Sequence, residues 1–147
     1  MGDRHEDAQA LTAKAREAWI ATWEQTRWDY WVRLNWRNAV HTATANEHLE
    51  RLIRDLHRPG IQGARHPTIH VVAGFHAEPY PHAHAVVGLS RRHRMQFLNA
   101  EEFAGWLAGY WYHGAVWAEL YDPTKRNPVH GGALEYLARD PGTVVWG

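Results

Sequence analysis

Two apolar segments, residues 68–76 and 82–89, separated only by Ala77-Glu-Pro-Tyr-Pro81, constrain this chain more than any other feature. Proline lacks the N–H that a ladder needs, so the two prolines make the connection a turn and the segments an antiparallel hairpin. Side chains alternate across a strand. His82 and His84 therefore share a face, their Cα atoms roughly 6–7 Å apart, while Ala83, Ala85, Val87 and Leu89 turn into the core. If His76 pairs with His82, parity brings it to the histidine face, and His70 falls opposite Gly88, about 20 Å further along.

The remaining chain supplies what such a hairpin must pack against. Residues 7–27 contain no Gly or Pro and are rich in Ala, Glu, Lys and Arg, which predicts a helix. From Tyr30 the period changes to two: Tyr30, Val32, Leu34 and Trp36 fall on one face and Trp31, Arg33 and Asn35 on the other, predicting a strand over 29–36. Thr44-Ala-Asn-Glu47 has capping-box spacing, and Leu49, Leu52, Ile53 and Leu56 follow at helical spacing until Pro59-Gly60. Asn99 and Glu102 open a further helix with Phe103, Trp106, Leu107 and Tyr110 on one face, ending near Gly114. A strand over 115–121, a loop over 122–128, a helix over 131–140 stopped by Pro141-Gly142, and a short strand over 143–146 complete the reading. Helix, strand-helix-strand, strand-helix-strand, helix predicts an α+β, ferredoxin-like split βαβ fold, a central antiparallel sheet with helices mainly on one face. Residues 1–28 read as an N-terminal helical appendage and 29–147 as a single globular unit.

Composition narrows the function. The 147 residues suit one domain, with no room for a second catalytic module. Sixteen basic and sixteen acidic residues leave no net charge, so any nucleic-acid contact must be local. No cysteine means no disulfide, thiolate metal site or cysteine nucleophile. No apolar run reaches the roughly 18–20 residues of a membrane span, and the start lacks the apolar core of a signal peptide. The expectation is a soluble, cytoplasmic protein, neither secreted nor membrane-bound.

Histidine and oxygen then remain as metal ligands. His76, His82 and His84 on one face, with Glu78 in the turn as an alternative or additional oxygen ligand, suit Mn²⁺, Mg²⁺ with water, or Zn²⁺. On the helix over 131–140, Ala133, Leu134 and Leu137 cluster within about 100°, whereas Tyr136 and Arg139 project to the other side and are not needed for the core.

At this point Phe75-His-Ala-Glu-Pro-Tyr-Pro-His-Ala-His-Ala-Val-Val87 resembles motif II of the HUH single-strand DNA endonucleases of the rolling-circle replication initiator type, in which a His-hydrophobic-His pair holds a divalent cation. Tyr30-Trp-Val-Arg-Leu-Asn-Trp36 is similar to their motif I strand, with Asn35 where threonine is common. Ala133-Leu-Glu-Tyr-Leu-Ala-Arg139 resembles the motif III Tyr-x-x-Lys helix, with Arg139 in place of lysine. The resemblance covers about residues 30–140, with the motifs in family order.

The resemblance implies that Tyr136 attacks a scissile phosphate of single-stranded DNA, leaving a 5′-phosphotyrosyl enzyme and a free 3′-hydroxyl, with His82, His84 and His76 on the cation. Arg139 would stabilise phosphate charge but, always protonated, cannot relay a proton. Arg33, Asn35, Arg91, Arg92 and Arg94 would contact DNA, and the substrate would be an origin hairpin or its loop. A helicase would come from the host. Having one candidate tyrosine in the motif makes a homodimer one way to supply a second nucleophile. Two rival readings use the same residues: a non-cleaving single-stranded DNA-binding protein, and a small mobilisation relaxase whose tyrosine would be Tyr30. A histidine-triad hydrolase would need a further histidine where Val86 stands.

Overall fold

The computed structural model describes residues 3–58, 69–125, 131–139 and 144–147, with side chains of the first helix from residue 13 onward. Its elements are α1 (Asp3–Glu24), β1 (Tyr30–Asn35), α2 (Thr42–Leu56), β2 (Ile69–His76), β3 (His82–Leu89), α3 (Arg91–Arg94), α4 (Ala100–Ala108), β4 (Val116–Leu120), α5 (Ala133–Ala138) and β5 (Val144–Trp146). All strand pairs are antiparallel in one sheet ordered β4-β1-β3-β2-β5. The run β1-α2-β2-β3-α4-β4 is thus the expected ferredoxin-like α+β arrangement, with β5 added beyond β2. The expected stops at Pro59-Gly60 and Pro141-Gly142, together with Thr68, residues 126–128, Asp140 and Thr143, lie outside the described residues. Among the described residues no helix is long and apolar enough to cross a membrane.

Alternation along the strands divides the interior in two. Tyr30, Val32 and Leu34 of β1 and Ala83, Ala85 and Val87 of β3 face one side, where Leu49, Leu52, Ile53 and Leu56 of α2 and Phe103 and Leu107 of α4 close over them. Tyr30 is fully buried and stacks on Phe103, ring centres 4.0 Å apart. Val72 and Val86 face the other side, with Trp23 of α1, Trp28, and Leu134, Leu137 and Ala138 of α5 packed on them. The helices of the split unit therefore share one face, as expected, and the first and last helices form a layer on the other. Within that layer Trp19 meets Trp23 at 6.0 Å and Trp146 at 5.1 Å, and Arg16 donates to the Glu135 carbonyl at 3.4 Å.

Three boundaries differ from the sequence reading. α2 begins at Thr42 after an extended His41 and has no side-chain cap, so Thr44 lies in the first turn; buried Ala45 anchors that turn on the core. α4 keeps its expected cap, Asn99 Oδ1 accepting from Glu102 N at 2.9 Å, but stops at Gly109. The chain must then turn back so that Ala115 O can accept from Asn35 N, and Gly114 passes so close to β1 that a Cβ there would lie 2.1 Å from Asn35 O. α3 forms where the sequence reading placed no helix, because Ser90 Oγ accepts from His93 N and starts a helical turn.

Asp29 ties these layers at one end of the sheet. Its buried carboxylate accepts from Leu89 N at 2.8 Å and pairs with Arg94 Nε at 2.9 Å and Arg27 Nε at 3.5 Å. Asp29→Ala should leave the Leu89 N–H unpaired and cost about 1–3 kcal/mol, read as a lower denaturant midpoint with unchanged m-value.

Candidate active site

The β2–β3 register pairs His76 with His82 and Gly74 with His84, so three imidazoles share the face carrying α5. His70 pairs with Gly88, away from them. Turn geometry explains why the histidines sit at the hairpin end: the prolines close the ladder immediately beyond the His76–His82 pair. α5 then crosses this face. Leu134, Leu137 and Ala138 are its buried side, which leaves Tyr136 and Arg139 at the histidines. Its start depends on Gly131, at φ 77°, where a Cβ would also come within 3.0 Å of Glu135 Oε2. That carboxylate accepts from Gly132 N and closes the first turn.

The ring centres of His76, His82 and His84 are 5.4, 5.9 and 5.1 Å apart for the 76–82, 76–84 and 82–84 pairs. Tyr136 lies 5.0 Å from His76 and 5.3 Å from His84. Arg139 places its guanidinium 4.5 Å from the centre of the Tyr136 ring and Nη2 3.1 Å from His76 Nδ1. Trp31 covers one face of His84, 4.9 Å away and 12° from parallel.

Hydrogen bonds set the protonation of these rings. His82 Nδ1 is 2.8 Å from the Tyr80 carbonyl, which can only accept, so Nδ1 is the donor in that bond. Arg139 can only donate, so His76 Nδ1 is an acceptor. Burial, followed by the neighbouring His82, His76, Arg33 and Arg139, pushes His84 down to about 3 and holds it neutral. Its buried Nδ1 has no hydrogen-bond partner among the described residues, nor do the buried Asn35 Oδ1 and Arg33 Nε. Asn35 pairs with His82 and Arg33 with His84 in the β1–β3 register, so these atoms belong to the histidine end of one face.

A neutral His84 beside two further imidazoles and the Asn35 amide oxygen suits a divalent cation chemically. Two imidazoles on one tetrahedral ion, with metal–nitrogen bonds of about 2.0–2.1 Å, put their ring centres about 5 Å apart. The separations here approach that value. Among the described residues no group of three or more His, Asp or Glu side chains is arranged to hold a metal ion. Arg139 already occupies His76 Nδ1, so a cation taking that nitrogen has to displace another positive group. Backbone support for His82 by the Tyr80 carbonyl is the kind of outer-shell bond that orients metal-bound histidine.

The remaining sequence candidates separate clearly. Glu78 is exposed in the turn and makes no hydrogen bond or ion pair to the histidines among the described residues. Arg33 lies over Trp117, 5.3 Å from its ring centre, beside the site. Arg91 and Arg92 are exposed on α3, and Arg94 is paired with buried Asp29. α3 follows Leu89, seven residues beyond His82, so these arginines are about 23 Å along β3 from the cluster and do not join it. Tyr30 is buried on the opposite side of the sheet, which removes it as the nucleophile of a relaxase. Trp36 and Trp111 are buried core residues. Glu119 escaped the sequence reading; it neighbours Trp31 only through the β1–β4 pairing, which no local pattern reveals.

No family model matches this chain, and no characterised protein or solved structure matches it either. Titration of Mn²⁺ or Zn²⁺ should raise the thermal midpoint in proportion to the logarithm of concentration, and His82→Ala and His84→Ala should each remove the shift. Without added metal, the unfolded chain binds the His84 proton and the folded chain does not between the ordinary 6.5 and about 3. Stability should therefore fall as pH drops through that window, less steeply in His84→Phe, as followed by denaturant unfolding.

Proposed function

We propose that this chain is a metal-dependent enzyme that nicks and rejoins single-stranded DNA, using Tyr136 as nucleophile, and that it serves rolling-circle replication of a plasmid or small virus. One observation carries the reading: Tyr136 and Arg139, remote in sequence from the hairpin, are packed onto its histidines, Tyr136 on His76 and His84 and Arg139 on His76. The replicative role rests on the order of the three motifs along the chain.

Tyr136 Oη forms a bond to phosphorus as the phosphorus–O3′ bond breaks. The tyrosyl proton ends on the departing 3′ oxygen, so the step is redox-neutral and its reversal reseals the strand. His82, His84 and His76 would hold Mn²⁺, Mg²⁺ or Zn²⁺, which supplies Lewis acidity at the non-bridging phosphate oxygens. Arg139 is held between Tyr136 and His76, and on leaving His76 Nδ1 it can turn its planar fork to the same phosphate. It carries charge, not a proton. Asn35 and Arg33 lie beside the histidines and can contact the backbone or orient water there.

A non-cleaving DNA-binding protein is the second reading, favoured by arginine standing where the resemblance has lysine. Labelled, randomised single-stranded DNA with Mn²⁺ separates the two on a denaturing gel. The native chain should give a slow-migrating covalent species, Tyr136→Phe none, and Arg139→Ala a rate lower by roughly a hundredfold. No adduct from a folded, metal-binding chain would select the binding protein.

A further inference from the structure

Beside Tyr136 the face opens into a groove of about 410 Å³, large enough for a nucleoside, walled by Trp31, His84, Glu119, Asp122, Lys125 and the start of α5. Its composition is unlike a phosphate site. Two of its charged walls are carboxylates, which repel a sugar-phosphate backbone. Trp31 instead offers an aromatic surface, held in place by the stack on His84. Glu119 stands next to Trp31 in the β1–β4 register, and Lys125 Nζ takes only its Oε1, at 3.3 Å. The second carboxylate oxygen has no partner among the described residues and is an acceptor beside the stacking surface. Asp122 is occupied by its own turn, accepting from Thr124 N and Oγ1 at 2.9 and 2.6 Å.

We propose that this groove is a nucleobase subsite, in which a base flanking the attacked phosphate stacks on Trp31 and gives an exocyclic amino hydrogen to Glu119. The placement of that base rests on the cleavage reading above; the pocket itself does not. Adenine, cytosine and guanine carry such an amine, whereas thymine offers one ring N–H between two carbonyl oxygens that a carboxylate repels. Arg33 and Arg139 near the histidines hold the backbone, and the carboxylate reads the base: the two demands fall on separate walls of one site.

The test uses the full chain and the four deoxynucleoside monophosphates, following the indole N–H resonance of Trp31, identified by its loss in Trp31→Phe. dAMP, dCMP and dGMP should shift that resonance and bind roughly tenfold more tightly than dTMP. Glu119→Gln should reduce the preference to within about twofold, while Trp31→Ala, checked for folding by circular dichroism, should weaken all four by roughly tenfold. No shift of the Trp31 resonance, or a preference unaltered in Glu119→Gln, overturns the subsite. Base-selective binding without a Tyr136 adduct overturns cleavage and leaves the subsite standing. Adduct formation at positions whose flanking bases, when sequenced, show no bias against thymine overturns the subsite and leaves cleavage standing.

Discussion

The pairing of His76 with His82 across the β2–β3 turn is the constraint on which the rest depends. A slip of one residue would send the histidines into the α2–α4 core and turn Ala83, Ala85 and Val87 outward. Both apolar faces oppose such a slip: the first buries Phe75, Ala73 and Val71 of β2, and the second buries Val72 and Val86. Hydrophobic burial therefore fixes the chemistry of the site indirectly. The imidazoles are held together because the residues between them are committed to the core.

α5 adds the reactive groups by the same logic. Six residues make a helix with little stability of its own, so its place comes from Leu134, Leu137 and Ala138 against the sheet. Gly131 allows the entering turn, and Arg16 of α1 reaches the Glu135 carbonyl from the other side. Tyr136 is thereby set over His76 and His84 by packing further along the same strands, at Val72 and Val86.

Electrostatics in this chain are local. A balance of sixteen basic and sixteen acidic residues gives no overall attraction for DNA, yet the histidine end gathers Arg33 and Arg139 around the neutral His84 ring. Those cations help keep His84 unprotonated, which is the form a metal ligand requires. The arginines of α3 serve a different end of the molecule, where Arg94 neutralises buried Asp29 and secures the β1–β3 junction.

Alternation and chain order alone were enough for the hairpin, the shared face of His76, His82 and His84, the split βαβ arrangement and the outward side of α5. Each depends on a period of two or 3.6 within a few residues, or on short connections, and such information is local. Thr44 was misread as a cap because its spacing to Glu47 is equally available one half-turn inside a helix. The partners that cross the sheet were not legible in the same way. Glu119 beside Trp31, Arg94 on Asp29, Tyr30 beneath Phe103 and Arg139 against His76 follow from which strands are neighbours and which helix lies on which face. That choice is made by burying two separate apolar surfaces at once, a property of the whole chain that no single segment carries.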